Sequence, residues 1–349
     1  MRSPALRHVL THLITPLLMC LGMGLAYMGA FVHPEPNHMP VAVVGAGPEA
    51  KVLAQTIKDT AGDKLDVRTV PTRAAAVDLL RSRTVTGAYV PSGKAPELIV
   101  AVAASDTGAT AAEQVFTQVA DKEGVALKVT DVAEPVADDP TGQGLFFLLI
   151  AVSIGSYASV AALGAAGAAL PMRVRALLAL GVSAVVSGIG AFLAGPVFHL
   201  AHHDLAGVWG MAWLYSAGIL LIGVGLHTFL KRWTTLTMMV LFVMLNFTSS
   251  GGLFRPELQN GFFGTLHAFW NGAGFVEGVR SLLYFGSDGL SRNVWTLAVW
   301  LLAGLAVTAI AAAYERAKAA PAAVVPESPA GLIEEAAEAE EETEETVGV

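Results

Sequence analysis

Cysteine is almost absent from this sequence, and its scarcity excludes folds that depend on internal disulfides. Cys20 is the only cysteine in 349 residues, so no intrachain disulfide can form. Charged residues are also scarce: they make up 14% of the chain, against roughly a quarter in a typical soluble domain. Hydrophobic residues make up 54%. This composition indicates a protein that lies in a lipid bilayer.

An excess of basic residues is missing too, and this argues against a nucleic-acid partner. The formal net charge is -8, but eight of the 29 acidic residues lie in one C-terminal run. The remaining 21 acidic residues balance the 21 lysines and arginines. No RNA- or DNA-binding motif occurs, so we expect no nucleic-acid binding. The nucleotide-binding sequence GxxxxGK[ST] is absent as well, and we do not expect the chain to hydrolyse ATP or to be an enzyme.

Long apolar runs, in contrast, are abundant. Six of them approach the roughly 20 residues that cross the hydrocarbon core of a bilayer. They are Val9–Val32, Gly144–Leu170, Ala176–Leu200, Trp209–Leu230, Thr234–Leu253 and Val294–Tyr314. The sequence therefore predicts a polytopic α-helical membrane protein with six transmembrane helices.

Basic residues flank these runs in a regular order. The pairs are Arg2 and Arg7, Arg173 and Arg175, Lys231 and Arg232, and Arg316 and Lys318. Basic residues accumulate on the cytoplasmic side of membrane proteins. If all four pairs are cytoplasmic, six spans alternate without contradiction. We therefore predict a multi-pass protein of the cell membrane with both termini in the cytoplasm.

The same topology places residues 33–143 outside the cell as an inserted extracytoplasmic α/β domain. Thr72 is a plausible helix N-cap within it. Strands are predicted over Val41–Val44, Leu65–Val70, Val85–Val90, Leu98–Ala103 and Ala126–Val132, and helices over Glu49–Thr60, Thr72–Arg81 and Ala109–Lys122. The other predicted regions are a cytoplasmic stub with the first span (1–32), a five-helix transmembrane domain (144–318) and a disordered acidic cytoplasmic tail (319–349).

Segment 254–286 is apolar, but glycine, proline and charged residues interrupt it too often for an ordinary transmembrane span. A full span here would place Arg316 and Lys318 outside, so we predict two short helices that enter the outer leaflet and return. Glu277 and Arg280 are three residues apart on the second helix and are expected to pair. A charged pair at membrane depth is a functional candidate, whereas a position among the lipid head groups is the structural alternative.

Three other motifs favour structural interpretations. Val43–Ala50 resembles a dinucleotide-binding turn, but Pro48 removes a backbone donor there. Ser183 lies inside an apolar run, as the nucleophile of an intramembrane protease would, although small residues in membrane helices usually serve close packing. A cluster at His199–Asp204 has two histidines at helical spacing, but no further metal ligand is identifiable. We expect no cofactor and no metal site.

The order of elements after the fifth span resembles type-2 ABC exporter permeases. These elements are Ser249, Ser250, Gly251 and Gly252, then Pro256, Gly261–Phe263, Leu266–His267, Gly272–Gly274, Arg280 and Tyr284–Phe285. The nearest likeness is to the bacterial phage infection protein-like (YhgE/Pip) branch. That branch has an N-terminal span, a large extracytoplasmic domain and then five spans.

This resemblance implies a six-helix permease half with a re-entrant helical pair. It implies a homo- or heterodimer in the lipid bilayer, with a possible separate ATPase subunit, that exports a hydrophobic, lipid-like or envelope substrate. The candidate gate residues are then Ser249, Ser250, Gly251, Gly252, Pro256, Glu277 and Arg280, and the candidate ATPase-coupling loop contains Arg173 and Arg175. The alternative is a non-transporting scaffold or receptor that acts in envelope assembly or secretion through its extracytoplasmic domain.

Overall fold

Apolar helices make up most of the fold, which is seen in a computed structural model that describes residues 4–92 and 95–319. Arg2 and the predicted acidic tail beyond Ala319 lie outside these residues. In the described part, five helical stretches are long and apolar enough to cross a membrane: Val9–Phe31, Gly144–Ala166, Met172–Val197, Leu205–Ser249 and Leu290–Ala319. These stretches confirm the prediction of a helical protein with transmembrane helices.

The first three of these stretches are single helices with boundaries close to the predicted ones. They correspond to α1 (Pro4–Phe31), α5 (Gly144–Ala166) and α6 (Met172–Phe192), which a π-helical turn extends to Val197. Asp139 fixes the start of α5, because its carboxylate accepts from the backbone N–H groups of Gln143 (3.1 Å) and Gly144 (2.8 Å). A carboxylate at this position satisfies orphan donors of the helix N-terminus.

The 45-residue stretch Leu205–Ser249 is not one regular helix. Helix α7 (Leu205–Leu230) ends at Lys231, whose φ of 48° interrupts the helical backbone, and a 3₁₀ turn spans Lys231–Trp233. Helix α8 (Thr234–Met239), a π-helical turn and α9 (Leu245–Ser249) follow. The interruption falls where the sequence predicts the boundary between the fourth and fifth spans.

The predicted pair of short helices after the fifth span is present. Helix α10 covers Gly261–His267 and α11 covers Asn271–Tyr284, after a 3₁₀ turn at Pro256–Leu258. The final helix, α12 (Leu290–Ala319), follows directly. Helix α11 is buried along nearly its whole length, so it is an internal element of the fold.

Residues 39–131 form a five-stranded sheet flanked by three helices. The strands are β1 (Met39–Val44), β2 (Leu65–Val70), β3 (Gly87–Val90), β4 (Glu97–Val100) and β5 (Lys128–Asp131), in the order β2-β1-β3-β4-β5. The pairing of β3 with β4 is antiparallel and the other three pairings are parallel. All five predicted strands are found, with ends shifted by a few residues. We call residues 33–143 the α/β region.

The flanking helices pack on both faces of the sheet. They are α2 (Pro48–Ala61), α3 (Arg73–Arg81) and α4 (Asp106–Lys122). Thr72 caps α3 as predicted, because its side chain accepts from the Ala75 N–H. On one face Tyr89 stacks on Phe116 with ring centroids 5.0 Å apart, and both rings are fully buried. The apolar periodicity of the region therefore produces two small cores, one on each face.

The membrane-length helices pack closely at small residues. A Cβ added at Gly190 of α6 would lie 2.8 Å from a Val152 methyl group of α5. Thr308 of α12 donates to the Leu221 carbonyl of α7 at 2.9 Å. Close approach at small residues is the usual way in which membrane helices pack. Residues up to Ala312 belong to one compact unit, and residues 313–319 continue α12.

The ion pair between Arg73 of α3 and Glu97 of β4 yields a pH-dependent stability prediction. Arg73 donates two hydrogen bonds to the carboxylate, at 3.0 and 2.9 Å, and holds the pKa of Glu97 at about 2. The stabilisation is therefore complete above the ordinary pKa of 4.5 and is lost as the pH falls towards 2. Arg73 is half exposed, so we expect Arg73→Gln to cost only about 0.5–1 kcal/mol at pH 7.

This effect corresponds to a decrease of about 1–4 °C in the unfolding temperature of the full chain. Thermal unfolding of the detergent-solubilised protein at pH 7 and pH 3 measures it, and the difference from the wild type should shrink at pH 3. Arg68→Gln is the matched control, because Arg68 makes a looser 3.7 Å pair with Asp66 at an exposed position. An Arg73→Gln effect that is independent of pH contradicts the prediction.

Candidate functional site

A group of buried charges joins the α/β region to α11. At its centre, the Glu277 carboxylate lies between two guanidinium groups. One oxygen pairs with Nη1 of Arg280, one turn further along α11, as the i, i+3 spacing predicts. The other oxygen accepts from Nη1 of Arg83 at 3.0 Å. Glu277 is 9% exposed and Arg280 is 2% exposed, so the pair is shielded from water.

Arg83 reaches this site from the loop between α3 and β3. Its Nη2 donates to Ser281 Oγ at 2.6 Å and to the Asp288 carbonyl at 2.9 Å. Its guanidinium also lies over the Phe285 ring, 5.0 Å from the centroid. Arg83 has a φ of 56°, which is uncommon for a residue other than glycine. One arginine of the α/β region therefore contacts both the last two turns of α11 and the loop that follows it.

A second ion pair lies in the turn between α9 and α10. Arg255 Nε donates to Glu257 Oε1 at 2.9 Å, and the same oxygen accepts from Thr86 Oγ1 of the α/β region at 3.0 Å. Burial opposes ionisation of Glu257, but the Arg255 charge and these hydrogen bonds hold the pKa of Glu257 below its ordinary value. The Glu257 carbonyl also accepts from the Asn37 N–H at 2.8 Å. The turn is thus fixed to the α/β region by side chains and by backbone.

Side chains from the segment after α9 bond the carbonyl groups at the end of that helix. His267 Nδ1 lies 2.9 Å from the Ser249 carbonyl, and Gln259 Nε2 donates to the Thr248 carbonyl at 2.7 Å. Arg280 Nη2 lies 3.4 Å from the Gly251 carbonyl. Gly251 has a φ of 71°, and an added Cβ would lie 2.6 Å from His267 Cε1, so only glycine fits there. These contacts supply donors to carbonyl groups that have no partner within the interrupted helix.

Polar side chains of α5, α7 and α9 form a second buried network. Ser153 of α5 and Tyr215 of α7 share a 2.5 Å hydrogen bond, and Asn246 of α9 donates to the same tyrosine oxygen at 2.6 Å. One turn further along α5, Ser156 bonds Ser216 at 2.7 Å. All five side chains are buried, so the interior of the helical part is polar along this line.

A cavity of about 180 Å³ opens beside the ion pairs. Its lining includes charged and polar residues from the α/β region, from the α9–α10 turn, from α11 and from α12. They are Ser82, Arg83, Arg255, His267, Glu277, Arg292, Asn293 and Thr296, together with Ala268, Ala273, Gly274 and Gly289. The cavity therefore lies where the α/β region meets the short helices.

The structure brings the candidate gate residues together around this cluster. Ser249 and Ser250 are buried and bond the carbonyls of the preceding helical turn. Gly252 packs on the Phe146 ring near the start of α5, where an added Cβ would lie 2.7 Å from a ring carbon. Pro256 opens the turn that carries Arg255 and Glu257. Their role in a gate remains a prediction.

The candidate coupling residues lie elsewhere. Helix α6 begins at Met172, so Arg173 and Arg175 belong to its first turn, and the connection to α5 lies at residues 167–171, four residues earlier than predicted. Arg173 is exposed, whereas Arg175 is buried against Gly167, just beyond the last residue of α5. Because α5 has 23 residues, this end is about 34 Å from the end near Gly252.

Sequence reasoning missed several members of the cluster. Arg255 and Glu257 lie in segment 254–286, but a spacing of two residues does not indicate that two side chains form an ion pair. His267 was part of the family resemblance without a contact being assigned to it. Arg83 gives no local signal at all, because its partner Glu277 is 194 residues away in the chain.

The remaining motifs show no site chemistry in the described residues. Gly47 is the N-cap of α2 and Pro48 its first residue, as the structural interpretation of that turn requires. Ser183 is buried and donates to the Leu180 carbonyl of its own helix at 2.7 Å. The rings of His199 and His202 stack 6.4 Å apart. Within residues 4–92 and 95–319, no group of three or more His, Cys, Asp or Glu side chains is placed to hold a metal ion.

Comparison of the chain with protein-family models, with curated proteins and with solved structures found no match. The functional argument therefore depends on the residues and their geometry.

The Arg83–Glu277 contact predicts that Arg83→Met loosens the junction. The variant removes the cation that links the α3–β3 loop to α11, and leaves Glu277 neutralised by Arg280. We expect α11 and the loop after it to exchange amide hydrogens at least about tenfold faster, equivalent to about 1.4 kcal/mol of local opening free energy. Hydrogen exchange with mass spectrometry on the full chain measures this.

Arg81→Met is the matched control, because Arg81 is an exposed arginine in the last turn of the adjacent helix α3. Its exchange pattern should equal that of the wild type. Equal protection of α11 in the Arg83 and Arg81 variants would show that the junction does not depend on this ion pair.

Proposed function

We propose that this chain is the membrane permease subunit of an ABC-2-type export system that moves a hydrophobic, lipid-like or envelope substrate outward. The observation that carries the proposal is the buried charge cluster in which Arg83 of the α/β region meets Glu277 and Arg280 of α11, beside a broken span. Ionised groups at membrane depth are costly, and they are found where membrane proteins form pathways or gates. In this proposal, the cluster is the outer gate.

Six spans and a bacterial cell-membrane location belong to this proposal. The interruption at Lys231 supports two spans within Leu205–Ser249, one on each side of the basic turn at Lys231–Arg232. The short α10 and α11 helices support a re-entrant pair within 254–286, which leaves Arg316 and Lys318 on the cytoplasmic side. The α/β region is then extracytoplasmic and receives substrate or a partner of the cell wall.

In this proposal, substrate moves along the buried polar network of α5, α7 and α9. Serines, a tyrosine and an asparagine on α5, α7 and α9 supply hydrogen-bonding groups inside otherwise apolar helices. Such groups are retained in membrane interiors where they join helices or line a pathway. Exposed apolar side chains along α1 and α12 leave surface for lipid or for a second permease half, as in a homo- or heterodimer.

The scaffold alternative is favoured by the cytoplasmic end of α5 and α6. Only five residues, 167–171, connect the two helices, and Arg175 is buried. An ATPase needs an exposed element to transmit its movement, and this connection offers little surface. In the alternative, the chain is a non-transporting receptor or scaffold that acts in envelope assembly or secretion through the α/β region.

Substitution of Arg280 tests the gate. Arg280→Ala leaves Glu277 paired with Arg83, so the protein should still insert into the membrane at normal abundance. We expect export to fall at least tenfold, because the gate loses the cation that links Glu277 to the Gly251 carbonyl. Substrate export in cells, normalised to membrane abundance, measures it. Arg68→Ala, at an exposed position on the sheet, is the control, and unchanged export by Arg280→Ala refutes the gate.

Purification of the tagged chain separates export from the scaffold alternative. A stoichiometric ATPase that carries GxxxxGK[ST] in the purified complex supports the permease. Enrichment of envelope proteins without such an ATPase supports the scaffold. Mass spectrometry of the complex after mild detergent extraction provides the measurement.

A further inference from the structure

Arginine outnumbers carboxylates around the cavity between the α/β region and the short helices. Arg83, Arg255 and Arg292 line it, whereas Glu277 is the one carboxylate that the described residues contribute to the lining. Glu277 is already shared by Arg83 and Arg280. Glu257 pairs with Arg255, so three largely buried arginines, Arg83, Arg255 and Arg280, face two glutamates. Asp288 is exposed and lines a separate cavity.

An excess of positive charge in a partly enclosed site needs a counter-ion. Removing a guanidinium group from water is unfavourable unless an opposite charge and hydrogen bonds replace the lost hydration. One of the three lining arginines has a buried guanidinium nitrogen that the protein does not engage, and an exposed one is held only loosely. Among the described residues, Arg255 Nη1 is buried without a hydrogen-bond partner. Arg292 Nη2 makes one long contact, 3.4 Å from the Ala268 carbonyl.

The N-terminal end of α11 also lies beside this cavity. Ala273 and Gly274 line the cavity and lie in the first turn of this helix. No side chain caps the helix, whose N-cap residue is Trp270. The N–H groups of residues 271–273 therefore lack partners within the helix, and α11 is 14 residues long. A helix N-terminus of this kind attracts anions through its free N–H groups and its dipole.

We propose that this cavity binds a phosphate-type anion, held by Arg255, Arg292 and the first turn of α11. A cavity of about 180 Å³ has room for one phosphate group. Arginine is suited to this role, because its planar fork matches two phosphate oxygens at once. The phosphate group belongs either to a lipid head group or to a free phosphate ion. The site does not depend on the export proposal, because it requires only this chain.

Binding is measured on the purified full chain in nanodiscs of phosphatidylcholine. Inorganic phosphate is titrated at constant ionic strength, with chloride as the balancing anion, and thermal unfolding is followed by tryptophan fluorescence. A second set of nanodiscs contains one-third phosphatidylglycerol and no added phosphate. A bound anion raises the unfolding temperature in proportion to its occupancy of the folded state.

Arg292→Gln is the main variant, because Arg292 is exposed and its loss leaves the buried ion pairs in place. We expect it to weaken the anion about tenfold, the effect of losing one charged hydrogen bond. Arg68→Gln, an exposed arginine of the sheet, should bind like the wild type. Arg255→Lys keeps the charge beside Glu257 but removes the free Nη1 group, and it should also weaken binding.

The two arms distinguish the source of the phosphate group. Stabilisation by both inorganic phosphate and phosphatidylglycerol, reduced in Arg292→Gln, assigns a site for the phosphate group itself. Stabilisation by phosphatidylglycerol alone, reduced in the same variant, assigns a lipid head-group site. An unfolding temperature that responds to neither, or that responds equally in Arg292→Gln and Arg68→Gln, overturns the proposal. Because no substrate or ATPase is present, failure here leaves the export assay as a separate question.

Discussion

A carboxylate enclosed between helices stays ionised only while opposite charges replace the water it has lost, and Glu277 has two such charges. Arg280 comes from the next turn of the same helix and is available as soon as α11 forms. Arg83 comes from the α/β region and is available only in the folded protein. The position of the α/β region over α11 is therefore linked to the charge state of a single side chain.

The same constraint explains how a helix can end inside the fold without disorder. Backbone groups that face neither water nor a regular partner are unfavourable at membrane depth, so a broken helix requires local donors and acceptors. The end of α9 receives them from His267, Gln259 and Arg280, which all come from the segment that follows the break. The break and the short helices are consequently one unit. Without this segment, the carbonyl groups at the end of α9 would lack these hydrogen-bond partners.

Local patterns predicted the elements of this protein well, and they failed for contacts distant in sequence. Alternation and capping gave the five strands and the Thr72 cap, because these signals lie within a few residues. Apolar length gave the membrane helices, and the i, i+3 spacing gave the Glu277–Arg280 pair. The contact of Arg83 with Glu277 could not be predicted, because an arginine in a loop has no periodicity that identifies its partner. The Arg255–Glu257 turn was overlooked because its burial is produced by Thr86 and the sheet, which the local sequence does not specify.

The junction contains three ionised side chains, Glu277, Arg83 and Arg280, and this number changes what happens when the junction opens. If the α/β region moves away, Arg83 returns to water while Glu277 keeps Arg280, so no buried charge is left unpaired. A junction with Arg83 as the sole cation would instead leave Glu277 uncompensated, at a cost of about 3–5 kcal/mol. The surplus arginine therefore lowers the free energy of separating the two parts. A junction that can open without leaving a buried charge unpaired is what a gate needs, and equally a receptor that transmits binding to the membrane helices.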